Sequence, residues 1–298
     1  MTPKARKGII LAAGSGTRLY PATFPTSKVL LPVYDRPMIY YPLSTLISAG
    51  IRDILVITNE ADRPNFVRTL GDGSQFGVRI TYALQKVPRG ISDAFIVGED
   101  FIDGDPCTLI LGDNIFGGYD MDRLMNEAAE DEENATIFTR WVPDPKRFGV
   151  AEFDDEGRVI SIEEKPEEPK SEYAIVGLYF LPGDAPGKAK TLKPSKRGEL
   201  EITDLNRLYL DEGRLRMKKI DARTRWIDAG TFDSLLEASL YVCDMEKKNG
   251  EKILCPEIEA LKKGFVTKAQ MQDWISRNKC NDYFKGVVRF MKRLKGPL

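Results

Sequence analysis

Along the first half of the chain, short apolar runs alternate with longer stretches in which apolar residues recur every three or four positions. The runs GIILAA (8–13), DILVIT (53–58), RITYAL (79–84), TLILG (108–112) and ATIFTRWV (135–142) predict strands. The stretches 38–49, 61–70, 91–101 and 120–131 predict helices. Strands alternating with helices predict an α/β fold whose sheet is mostly parallel and flanked by helices. Ligands of such sheets gather at the carboxyl ends of the strands.

The pattern changes after residue 143. FGVAEFDDEGRVISIEEKP reads as two strands around the turn DDEG, and YAIVGLYFLP as another strand. Residues 200–212 are predicted helical, with Leu200, Ile202, Leu205, Leu208 and Tyr209 near a 3.6-residue period. A long helix is expected over about 232–248, and short Lys/Arg-rich helices over the last 50 residues. The acidic run NEAAEDEEN (126–134) reads as the solvated end of a helix. The division expected is a main domain over 1–240, with parts at about 7–142 and 143–230, and a C-terminal helical subdomain over 241–298.

Composition narrows the chemistry. With 44 Lys+Arg against 45 Asp+Glu, the net charge of −1 gives no reason to expect nucleic acid as a partner. No apolar run approaches the roughly 18 residues of a membrane span, and the basic N-terminus lacks a signal-peptide core, so a cytoplasmic location is expected. Cys107, Cys243, Cys255 and Cys280 show no metal-ligand spacing and read as free thiols. Histidine is absent, which excludes Ser-His and Cys-His nucleophiles and His-ligated zinc. Chemistry is left to Asp, Glu, Lys, Arg or a bound metal.

LAAGSGTRL follows the first strand. Gly14 and Gly16 allow backbone N–H groups to approach an anion, Thr17 adds a hydroxyl and Arg18 a fork suited to phosphate. A Walker A loop would need Gly-Lys where Leu19 and Tyr20 stand, and a dinucleotide fingerprint would need Gly at Leu19. A nicotinamide dehydrogenase is therefore not supported, and the bare turn fits a plain strand-to-helix connection equally well. Asp113 in LGDN and Asp228 in WIDAGT each close an apolar run; alone, Asp113 reads equally as a cap or turn former.

GSGTRL followed by SKVLLPV resembles the signature of the sugar-phosphate nucleotidyltransferase family. GIRDIL, LGDGSQFGV, LGDNIF, EEKPEEPKSEYA, GLYF, GELEITDLN and TFDSLLEAS extend that resemblance, in the thymidylyltransferase branch, from about Lys7 to Gly264. The resemblance implies a Rossmann-like nucleotide-diphospho-sugar transferase fold, with an inserted sugar-binding β region and the helical C-terminal part. It implies Mg²⁺-dependent transfer of a nucleotidyl group from dTTP to α-D-glucose 1-phosphate, releasing pyrophosphate, for deoxysugar or surface polysaccharide synthesis such as that of rhamnose. Homotetramers with a second nucleotide site are usual in the family. Residue by residue, Asp113 and Asp228 would hold Mg²⁺. Arg18 and Lys28 would meet the phosphates, and Lys165 the sugar phosphate. Leu11, Gly14, Ser15, Gly16, Thr17, Gln85, Pro88 and Gly90 would surround the nucleotide, with Gln85 and the Gly90 backbone reading the base. Asn114, Gly149, Glu164, Ile175, Tyr179 and Arg197 would form the sugar side, although Arg197 fits a salt bridge nearly as well.

The chain departs from the family pattern at four places. Val29 and Asp93 stand where Gln is usual; Ala13 and Ala229 replace Gly and Thr. Both Val29 and Asp93 lie on segments expected to flank the nucleotide. They raise an altered nucleotide (UTP, CTP or GTP) or sugar 1-phosphate as the alternative, while Asp93 reads equally as a helix-start residue. A catalytically dead nucleotide-sugar sensor is the alternative of another class, and the retained charged set argues against it.

Overall fold

The computed structural model describes residues 5–118, 120–278 and 281–294; Cys280 lies outside them. In chain order the strands are β1 (Lys7–Leu11), β2 (Pro32–Val33), β3 (Arg36–Pro37), β4 (Asp53–Thr58), β5 (Arg79–Leu84), β6 (Cys107–Leu111), β7 (Asn114–Gly118), β8 (Ala135–Trp141), β9 (Gly149–Phe153), β10 (Val159–Glu164), β11 (Tyr173–Leu181), β12 (Leu215–Lys219) and β13 (Thr224–Asp228). β6, β1, β4 and β5 form a parallel block, with Ile9 opposite Leu55 on one side and Leu109 on the other. Ile9 and Ile10 are fully buried, as expected of a strand covered on both faces.

The second half extends this sheet antiparallel. β11 pairs with β6, β9 and β8, β9 with β10, and β12 lies parallel to β8. The expected hairpin around DDEG is β9–β10. Five strands were not anticipated: β2, β3, β7, β12 and β13. β7 and β13 form a separate antiparallel ribbon, with Asp228 opposite Asn114. Their sequences, NIFGG and TRWID, are too short and mixed to show alternation.

The expected helix over 91–101 is two short ones, Asp93–Val97 and Glu99–Ile102. They meet at Gly98, where an added Cβ would come within 3.0 Å of the Ala94 carbonyl oxygen and 3.2 Å of Leu55. Helices Ile202–Asp211 and Phe232–Asn249 fall where the periodicity places them, the second closed at its start by a Thr231–Ser234 capping box. Buried residues of the C-terminal helices, Ile258, Leu261, Met271, Ile275 and Val287, belong to the same hydrophobic cluster as Ile10 and Val56 of the parallel block. No helix among the described residues is long and apolar enough to cross a membrane. Cys107, Cys243 and Cys255 carry no disulfide.

Candidate active site

A cleft of about 670 Å³ opens at the carboxyl ends of β1 and β6, where the parallel block meets the antiparallel extension. Its walls include Leu11, Gly14, Ser15, Arg18, Lys28, Gln85, Pro88, Gly90, Asp113, Asn114, Gly149, Glu164, Lys165, Ile175, Tyr179 and Asp228. These residues come from eight separate stretches of sequence, and each was expected at one site.

The glycine turn is built by local constraints. Gly16 takes a left-handed conformation (φ 63°), and the turn Thr17–Leu19 buries Leu19 while Arg18 faces the cleft. The single turn Lys28–Leu30 divides its side chains in the same way. Val29 is buried in the core, and its backbone carbonyl accepts from Ile39 N–H at 2.8 Å. Lys28 instead runs past Gly14, whose added Cβ would lie 3.6 Å from Lys28 Cε, and its ammonium bonds the Asp113 carboxylate. Val29 is not on the cleft wall. Its methyl groups lie over Gly112, where an added Cβ would be 2.9 Å from Val29 Cγ1. Val29 thus lies on a segment that reaches the cleft, as expected, but its side chain does not: the tight turn sends adjacent side chains to opposite sides.

The two aspartates meet because of the β7–β13 ribbon. Ala229 N–H donates to the Asp113 carbonyl at 2.9 Å, which carries the end of β13 alongside Asp113. Burial opposes ionisation of Asp113. The Lys28 charge, with hydrogen bonds from Lys28 and Asn114, outweighs it and holds the Asp113 carboxyl below the usual carboxylate range. Asp228 moves the other way. Burial and the Asp113 charge push its carboxyl up, against the pull of Lys28, Arg18 and Arg147. Asp228 Oδ1 is buried and accepts no hydrogen bond from the described residues. Two converging carboxylates, one with an orphaned oxygen, are a donor set that fits a hard divalent cation completed by phosphate oxygens and water.

Asn114 ties the two sheets together. Its Oδ1 accepts from Trp226 Nε1 at 2.7 Å and from Gly177 N–H at 3.1 Å, while its Nδ2 donates to Asp113 Oδ1 at 3.2 Å. Trp226 also packs edge-on against Phe148, with centroids 5.1 Å apart. On the opposite wall Thr203 Oγ1 donates to Glu164 Oε2 at 2.5 Å. Lys165, one residue beyond β10, adopts φ +44° and projects into the cleft, its N–H donating to the Phe148 carbonyl at 3.0 Å. A lysine in the left-handed region costs about 1 kcal/mol or more, and such strain concentrates at functional sites.

Three expected residues do not line the cleft: Gly16, Thr17 and Arg197. Gly16 and Thr17 shape the turn behind Arg18. The Arg197 guanidinium pairs with Glu201 and Glu199 at 2.8 Å each and lies 3.8 Å from Glu164 Oε1, so the salt-bridge reading describes it. Conversely, Lys146, Arg147, Phe148, Glu199 and Trp226 line the cleft and were not singled out. An Arg-Phe pair beside a glycine, and a tryptophan two residues before an aspartate, were the available signals.

Comparison with known proteins places the whole chain, rather than its site alone. A family model described as nucleotidyl transferase matches residues 7–245. A glucose-1-phosphate thymidylyltransferase of Xanthomonas campestris is 50% identical over 288 residues, 97% of this chain and 98% of its own. A Bacillus anthracis protein assigned the same activity and solved with sucrose superposes with a TM-score of 0.74 at 45% identity, covering 80% of this chain and 95% of its own. A UDP-glucose pyrophosphorylase solved with UDP-glucose gives 0.69 at 25% identity, covering 80% and 99%.

Proposed function

This chain belongs to the nucleotidyl transferase family, and from that premise we propose that it transfers a thymidylyl group from dTTP to α-D-glucose 1-phosphate, releasing pyrophosphate. It is a nucleotidyltransferase enzyme whose substrates by class are a nucleoside triphosphate and a sugar phosphate. The observation that carries the proposal is the cleft's charge arrangement: Arg18, Lys28, Arg147 and Lys165 surround the Asp113–Asp228 pair in one cavity.

In the reaction a sugar phosphate oxygen bonds to the α-phosphorus while the bond from that phosphorus to the bridging oxygen breaks. Pyrophosphate leaves with the electron pair. The nucleophile belongs to the substrate, so a chain without histidine loses nothing, and catalysis rests on positioning and charge. Arg18 and Lys28 would meet the triphosphate, and Lys165, at the far wall, the sugar phosphate. Together they offset the repulsion between two anions brought into contact. Glu164, with Oε2 engaged by Thr203, offers its other oxygen to sugar hydroxyls. Ile175 and Tyr179 supply the apolar wall. Asp113 and Asp228 would hold Mg²⁺, which when bound polarises the reacting phosphoryl group and screens its charge.

We also propose assembly as a homotetramer in the cytoplasm. Support comes from the outer face of helix Phe232–Asn249, which exposes Phe232, Leu236 and Leu240 at helical spacing. Light scattering tests the assembly. The activity is tested by a matrix of dTTP, UTP, CTP and GTP against sugar 1-phosphates with Mg²⁺, scored by product mass and pyrophosphate release. No product from dTTP with glucose 1-phosphate overturns it.

A further inference from the structure

Gln85 closes one end of the cleft, and its amide is fully committed on one side. Nε2 donates to Asp93 Oδ2 at 2.9 Å and to the Gly90 carbonyl at 3.3 Å. Asp93 is 1% exposed, and its other oxygen accepts from Arg89 at 2.6 Å. A carboxylate only accepts hydrogen bonds. Turning the Gln85 amide over would set its Oε1 against two acceptors, Asp93 Oδ2 and the Gly90 carbonyl, and leave three oxygens facing one another with no proton between them. Glutamine, the residue usual at position 93 in the resembling pattern, has both a donor and an acceptor and tolerates either orientation.

We propose that Asp93 is a positioning residue for base selection, which locks Gln85 so that Oε1 is the atom it offers to the base. The inference rests on the nucleotidyltransferase reading above. Among the described residues nothing donates to Gln85 Oε1, and the Gly90 N–H, on the same wall, donates to none of them. The wall therefore presents one acceptor beside one donor. Thymine and uracil answer with N3–H beside the O4 carbonyl. Cytosine presents the reverse, an acceptor at N3 beside a donor at N4, and is rejected. Asp93 thus enforces the ketonic pyrimidine edge from behind, without touching it.

The test compares Asp93→Asn, isosteric with the native residue, with Arg89→Ala. In Asp93→Asn the single side-chain oxygen is claimed by Arg89. The new amide then faces Gln85, whose Oε1 turns to it, so Nε2 swings to the base. The ratio of kcat/KM for dTTP to that for dCTP is expected to fall at least tenfold, carried by KM, with the melting temperature little changed. In Arg89→Ala the carboxylate stays, and the ratio is expected to hold within threefold. Calorimetric binding of dTDP and dCDP supplies the same ratio without turnover, and Asp93→Ser serves if the asparagine variant does not fold. An Asp93→Asn enzyme with the native ratio overturns the proposal. Failure of the native enzyme to use dTTP overturns the assigned reaction instead, and the diphosphate binding ratio still reads the role of Asp93.

Discussion

Asp228→Asn should make the protein more stable and less active at once. In the native chain, burial and the charge of Asp113 raise the Asp228 carboxyl above its ordinary range, and Oδ1 has no donor among the described residues. A buried acceptor left without a donor costs about 1–3 kcal/mol, and more when it is charged. Lys28, Arg18 and Arg147 offset part of that, so the net gain on neutralising the group is taken at the low end of the range, about 1 kcal/mol. For a chain of this size that corresponds to a rise of roughly 2 °C in melting temperature. The sign also varies with pH. A group whose folded pKa is raised favours the fold below its unfolded value, near pH 3.9, and loses that contribution as pH rises through the folded value. The asparagine variant has nothing to lose, so its advantage should be absent in acid and grow toward neutrality. Thermal unfolding in chelator from pH 4 to 8 measures this. Mg²⁺ with nucleotide should stabilise the native protein and not the variant, whose turnover should fall by about a hundredfold or more. A variant that is destabilised at neutral pH, or that keeps native turnover, refutes the assignment of the pair.

Val29→Ala should cost about 2 kcal/mol through lost burial and a residual cavity, yet leave the nucleotide preference unchanged. A shifted dTTP to UTP ratio would return Val29 to the binding surface. Gly90→Ala meets both a φ of +101° and the Leu200 carbonyl 2.5 Å from the new Cβ, so the segment around Gly90 must move. The KM for dTTP should rise about tenfold, and native KM with native stability would show the loop is free to adjust. Lys165→Ala should lower kcat/KM for glucose 1-phosphate by about a hundredfold or more, whereas Arg197→Ala should change it within about fivefold, since Glu199 and Glu201 hold that guanidinium. Equal losses in parallel kinetics would place Arg197 on the substrate.

Much of the architecture was legible because it is local. The strands of the parallel block are apolar runs bounded by turns, and helix Phe232–Asn249 announces itself by the spacing of its apolar residues. The charged set Arg18, Lys28, Asp113, Lys165 and Asp228 was legible from motif order, and all five line one cleft. The ribbon β7–β13 was not, since five-residue strands that pair across more than a hundred positions carry no periodic signal. Phe148, Arg147 and Trp226 were missed for the same reason, because they act through a neighbour supplied by another segment.

What the sequence determined by itself is the inventory: the absence of histidine, the glycine turn after the first strand, the two aspartates and the alternation that builds the sheet. What only tertiary structure decided is direction. Val29 follows Lys28 directly, yet one tight turn sends it into the core and the lysine into the cleft. Asp93, equally readable as a helix start, faces Gln85 eight residues away and dictates which atom of that amide remains available. Side-chain direction depends on backbone turns and long-range packing, and a linear pattern records neither.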